Sequence, residues 1–75
     1  MRYEIWFTVK NNIHIYKREI YAKSDKLNLN IILSNKEYLK KLKKQLQEEL
    51  SYLKIENVDD ITLFYMKKGV KTQWL

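Results

Sequence analysis

The chain has no cysteine, no proline, one glycine and one histidine. Without cysteine there are no disulfides, no thiolate zinc sites and no thiol catalysis. His14 stands alone, with no second ligand at metal spacing, so neither a zinc site nor an imidazole-dependent mechanism is expected. Gly69 by itself cannot build a glycine-rich phosphate loop. Ser24 and Ser51 have no base partner in the pattern, Asp59-Asp60 reads as a loop before a strand, and Glu48 and Glu49 project in different directions around a helix. These absences predict a protein that is not an enzyme and uses neither metal nor cofactor. No apolar run approaches the ~18 residues of a membrane span. The start, Met1-Arg2-Tyr3-Glu4, alternates polar with apolar residues instead of presenting a basic and then an apolar leader. The expectation is a cytoplasmic protein with no membrane segment.

What is abundant is lysine. The 75 residues carry a formal net charge of +6, and thirteen of the fifteen basic side chains are Lys. Such an excess points to an acidic partner, nucleic acid being the usual one. Part of it is compositional: Asn and Ile are also frequent, Ala and Gly occur once each, and this is the signature of AT-rich codons. Arg, the residue of bidentate phosphate and guanine contacts, appears only as Arg2 and Arg18, which argues against sequence-specific DNA reading. A chain this short is one domain, burying about 60% of the surface its unfolded form exposes, and has no room for a deep pocket.

Residues 2–10 alternate, with Tyr3, Ile5, Phe7 and Val9 on one face and Glu4, Trp6 and Thr8 on the other, the period of a half-buried strand. Asn11-Asn12 supplies turn residues, and the β-branched and aromatic run 13–22 completes a hairpin. Leu27, Leu29, Ile31 and Leu33 alternate with Asn28, Asn30 and Ile32, predicting a third strand over 27–33. Ser34 is placed as an N-cap with Glu37 as its reciprocal partner, opening a helix over about 35–54. Leu39, Leu42, Leu46, Leu50 and Leu53 form its apolar stripe, and Glu37 stands four residues before Lys41, the favourable order for a helical pair. A fourth strand follows over 61–67, a turn at Lys68-Gly69, and a fifth strand over 70–75. The expected fold is α+β: a two-layer sandwich in βββαββ order, with one amphipathic helix packed on a mainly antiparallel sheet.

Hairpin, helix and hairpin around one sheet resemble the β-grasp architecture of ubiquitin-like and immunoglobulin-binding domains. The likeness is architectural only. The strand over 27–33 departs from that plan, and Gln73-Trp74-Leu75 stands in place of a conjugating di-glycine, so no activity carries over.

Two surfaces attract attention. Lys36, Lys40, Lys43 and Lys44, with Lys54, lie on one flank of the helix, where lysines in the first half and Glu48 and Glu49 in the second oppose the macrodipole. The second surface is the sheet face the helix leaves open. A two-residue loop would set Glu4 against Glu19 and Trp6 against Lys17, and opposed like charges are unfavourable. A three-residue loop with Asn12 left-handed sets Trp6 against Tyr16, Glu4 against Arg18 and Thr8 against His14, and is preferred. It gathers Trp6, Tyr16, His14 and Arg18 into an aromatic and basic patch, with Ile13 and Ile15 on the core side. Together these features predict a protein-binding module docking on an acidic protein surface or nucleoprotein complex. By size and class, a small inhibitor from a phage or mobile element, anti-defence or anti-CRISPR-like and directed at a nucleic-acid-handling complex, fits the description. The alternative is direct binding of single-stranded or structured nucleic acid through Trp6, Tyr16, Arg18 and the lysines. A third expectation is a homodimer through the open sheet face.

Overall fold

The computed structural model describes residues 1–10 and 13–69. Strands β1 (Arg2–Val9), β2 (Tyr16–Tyr21) and β3 (Ile61–Lys68) form one sheet in the order β2-β1-β3. β1 is antiparallel to both neighbours. β2 and β3 therefore run parallel to each other on either side of it, and a connection between parallel strands has to cross the sheet face. The crossing carries two helices, α1 (Leu29–Ser34) and α2 (Lys36–Glu49). The molecule is α+β as expected, a main amphipathic helix laid on an antiparallel sheet, and its order roughly follows βββαββ. The difference lies at 27–33, where a short helix replaces the third strand; the expected fifth strand, 70–75, falls outside the described residues.

Helix α1 forms because alternation fails at one residue. Reading 27–33 as a strand puts Ile32 on the polar side with Asn28 and Asn30, yet Ile32 is fully buried while Ile31 and Leu33 are exposed. In a helix, Leu29 and Ile32 are three apart and share a face, and both contribute to the core. Asn28 starts the turn: its side-chain oxygen accepts from the Ile31 amide at 2.9 Å.

The same device repeats seven residues on. Asn35, not Ser34, is the N-cap of α2, its side-chain oxygen accepting from the Tyr38 amide at 3.1 Å. Ser34 instead belongs to the last turn of α1, its hydroxyl donating to the Ile31 carbonyl. The Leu stripe behaves as its spacing requires. Leu42, Leu46 and Leu50 are buried, and Leu39 and Leu53 pack against the same core. Helix α2 stops at Glu49; a 3-10 turn, Ser51–Leu53, follows and closes on Lys54 in the left-handed region at φ 53°. Lys54 is thus not a residue of the helix.

The sheet side of the core comes from Tyr3, Ile5 and Phe7 of β1, Ile20 of β2, and Ile61 and Leu63 of β3. Gly69 has an ordinary negative φ; its role is close approach, since its amide donates to the Arg2 carbonyl at 2.7 Å and a Cβ there would sit 2.9 Å from that oxygen.

Tyr3 ties the crossing to the sheet. Its hydroxyl donates to the Ser24 carbonyl at 2.6 Å and accepts from the Leu27 amide at 3.2 Å, while its ring is 1% exposed. Tyr3→Phe keeps the ring and strands two backbone groups, so a loss of about 1–3 kcal/mol is expected by urea unfolding. A change below about 0.3 kcal/mol would show that water replaces the hydroxyl without penalty.

Candidate functional site

The β1–β2 register decides which side chains share the open face. Opposed pairs are Arg2↔Tyr21, Tyr3↔Ile20, Glu4↔Glu19, Ile5↔Arg18, Trp6↔Lys17 and Phe7↔Tyr16. This is the register that sets Glu4 against Glu19, and it corrects the preferred alternative. Each carboxylate is neutralised by a partner other than its opposite. Glu4 accepts from the Trp6 indole N–H at 2.7 Å and lies 3.7 Å from Lys67 Nζ, and Glu19 lies 3.6 Å from Arg2. The connection also differs from a tight three-residue loop. The ladder ends at Phe7↔Tyr16, Lys10 takes the left-handed conformation at φ 57°, and its amide donates to the Asp60 carbonyl. Asn12 lies outside the described residues. Ile13, placed on the core side by the sequence, is 95% exposed, and Ile15 is exposed as well.

With this register the expected Trp6, Tyr16, His14 and Arg18 patch divides between the two faces. Tyr16 opposes Phe7 on the helix side and stacks on its ring at 5.6 Å, with His14 packed at the Tyr16 edge. Arg18 opposes Ile5 on that same side and reaches α2, where its Nε and Nη2 donate to Glu49 Oε1 at 3.1 and 2.8 Å. Trp6 alone of the four pairs within the open face. Lys17 Nζ sits 4.3 Å from its ring centroid, and Tyr65 lies 4.7 Å away on the β3 side.

Phe64 and Tyr65 were not singled out from the sequence, and a bulge explains why they reach this face. Trp6 pairs with Tyr65 but Phe7 with Leu63, leaving Phe64 as the extra residue. Phe64 then meets Trp6 edge-on at 6.5 Å. The signal was present: Leu63-Phe64-Tyr65-Met66 is an unbroken apolar run where a half-buried strand alternates.

The lysine arc is on the other layer. At about 100° per residue, Lys36, Lys40, Lys43 and Lys44 fall within about 100° of the α2 circumference. Lys36, Lys40 and Lys44 are exposed and Lys43 half-buried. Among the described residues none of the four makes an ion pair; the pairs formed are Arg2–Glu19, Arg18–Glu49 and Lys67–Glu4. The expected Glu37–Lys41 pair is not among them. Instead Glu37, Lys40, Lys41 and Lys44 border a shallow depression of about 400 Å³. The opposite flank, Tyr38, Gln45 and Glu49, looks toward β2 across a groove of about 810 Å³.

In that groove the Glu49 carboxyl is held below its ordinary pKa, first by the hydrogen bond from the Gln45 side chain and then by Arg18, burial opposing weakly. A folded-state value below the unfolded one stabilises above the unfolded value, and the contribution is lost as pH falls through the folded one. Both partners are more than a third exposed, so the effect is small. Glu49→Gln is expected to cost under about 1 kcal/mol near neutral pH, with the difference from wild type vanishing in acid. A difference that persisted unchanged below about pH 3 would exclude carboxylate charge as its origin.

Among the described residues no group of three or more His, Cys, Asp or Glu side chains is placed to hold a metal ion, and no helix is long and apolar enough to cross a membrane. Comparison with protein-family profiles, with curated proteins and with solved structures gives no match.

Proposed function

We propose that the protein is a non-enzymatic binding module of the cytoplasm. In this reading it docks through the Lys36, Lys40, Lys43 and Lys44 arc on an acidic surface of a nucleic-acid-handling complex, acting as a small inhibitor by occupancy. The observation carrying this reading is that the four lysines share one side of a rigid helix and none is neutralised within the described chain. Four unneutralised cations within two and a half turns repel one another, a cost that an acidic partner relieves. The layout also opposes the helix macrodipole, with no basic residue in the last turn of α2.

Direct nucleic-acid binding through Trp6 together with the lysines fits less well. Trp6 faces away from α2, its indole N–H is already donated to Glu4, and Lys17 sits over its ring. A single strand would have to pass around the sheet edge to meet both surfaces. Titration with single- and double-stranded oligonucleotides at about 50 and about 200 mM salt separates the readings. Protein docking predicts no saturable oligonucleotide binding at the lower salt. Micromolar binding that falls steeply with salt and weakens on Trp6→Ala would replace it with the nucleic-acid reading.

A further inference from the structure

We infer that the free edge of β2, with the groove between β2 and α2, is a docking site for an extended acidic peptide segment of a partner protein, which adds to the sheet as a fourth strand. This rests on the protein-binding reading above but uses a different surface from the lysine arc.

Backbone hydrogen bonding alternates along the β1–β2 pair. Met1 and Ala22 exchange both backbone bonds, at 2.7 and 2.9 Å. Bonded pairs recur every second residue, so in this register Ile20, Arg18 and Tyr16 direct their backbone groups to β1. Lys17, Glu19 and Tyr21 direct theirs outward. β2 is an edge strand, and no backbone bond from these three to any other segment occurs among the described residues. Three alternate residues offering N–H and C=O are the template that an incoming strand uses.

The second observation is the space beside that edge. The groove of about 810 Å³ is lined on one side by residues 17–21 and on the other by Tyr38, Lys41, Leu42, Gln45 and Glu49 of α2. A strand added to the edge turns alternate side chains toward the helix layer. There they meet the Tyr38 ring and the Lys41 stem, which offer apolar contact, while Gln45 and Lys41 offer donors.

Charge selects the occupant. Within the groove lining Arg18 is paired with Glu49, and Glu19 is paired with Arg2. Lys41 is left without an ion pair among the described residues on the helix side of the space, while Lys17, also outside any ion pair, lies over the Trp6 ring on the open face. An incoming strand whose carboxylates, at alternate positions, turn toward the helix layer complements Lys41. A second copy of this chain suits the edge less well, because it brings another +6 of charge.

The test uses the full chain and a defined probe, a capped eight-residue peptide alternating Glu with Val, followed by amide shifts in two-dimensional NMR. Saturable shifts are expected that are largest at Lys17, Glu19 and Tyr21. The same peptide N-methylated on the residues facing the edge should bind at least tenfold more weakly, and a Lys-Val peptide not at all. Lys41→Glu should weaken the Glu-Val peptide at least tenfold. Glu19→Pro removes one outward N–H at a position where an edge strand tolerates proline, and should abolish the shifts while preserving the spectrum of the fold. Binding that survives N-methylation, shifts confined to Lys36, Lys40, Lys43 and Lys44, or no shifts at millimolar peptide would overturn the inference, and the first two leave the lysine-arc reading standing. Dimerisation through β2, seen as a concentration-dependent mass in light scattering, would overturn it in favour of a second copy.

Discussion

Phe7→Ala should remove most of the stability of this domain. Phe7 is fully buried in the central strand, between Tyr16 stacked at 5.6 Å on one side and Leu63 on the other. Truncating a buried Phe to Ala costs about 3–5 kcal/mol, the spread reflecting how far the surroundings collapse into the space. Collapse is restricted here because Phe7 belongs to the strand both other strands pair with, and moving it disturbs two ladders. A domain of this length is stable by roughly 4–11 kcal/mol at typical per-residue values. The variant is therefore expected to be partly unfolded at 25 °C, or to unfold at the lowest urea concentrations by far-UV circular dichroism. Trp6→Ala, one residue earlier on the opposite face, loses a half-exposed ring, one hydrogen bond and a cation–π contact, and should cost less than half as much. Equal costs at the two positions would mean that the faces of β1 are not assigned as described, since a one-residue slip exchanges them completely.

That face assignment was readable from alternation alone, and so was the placing of the α2 Leu stripe, because both rest on periodicity that burial enforces. The hairpin register was not readable. Opposed glutamates are unfavourable as an isolated pair, but Glu4 is offset by Lys67 and hydrogen-bonded by Trp6, and Glu19 is offset by Arg2. Lys67 arrives from a strand more than sixty residues along the chain, so no local rule contains it. The helix at 29–34 and the cap at Asn35 were within reach. Asn28 and Asn35 each stand three residues before the amide they cap, and Ile32 was the one apolar residue that the strand pattern left on its polar side. The separation of the proposed patch follows from the register: once Arg18 opposes Ile5 it belongs to the helix layer, where Glu49 receives it. Lys36, Lys40, Lys43 and Lys44 share one side of α2 because that depends only on spacing along one helix, whereas Lys54, expected on the same flank, lies beyond its end.

Reversing that arc should change binding without changing the fold. Each Lys→Glu replacement removes two units of positive charge, so reversing Lys36, Lys40, Lys43 and Lys44 together takes the formal net charge from +6 to −2. None of the four makes an ion pair among the described residues, and three are exposed. The folded state thus loses no partnered contact. Lys36 is the first residue of α2, and a carboxylate there interacts favourably with the helix N-terminus by about 0.3–1 kcal/mol. Urea midpoints of variant and wild type are expected to agree within about 1 kcal/mol. Binding to the proposed acidic partner should behave differently, because charges of this kind act mainly on encounter. Steering by a one-signed surface accelerates association by about 10–1000-fold at low salt. Reversal replaces attraction with repulsion, so the association rate should fall by at least about 100-fold near 50 mM salt, with the gap narrowing as salt shortens the Debye length toward about 3 Å near 1 M. Complexes recovered by wild type from cells and lost by the reversed variant would identify the partner. An association rate unchanged by reversal, with the fold intact, would remove the arc from the docking surface.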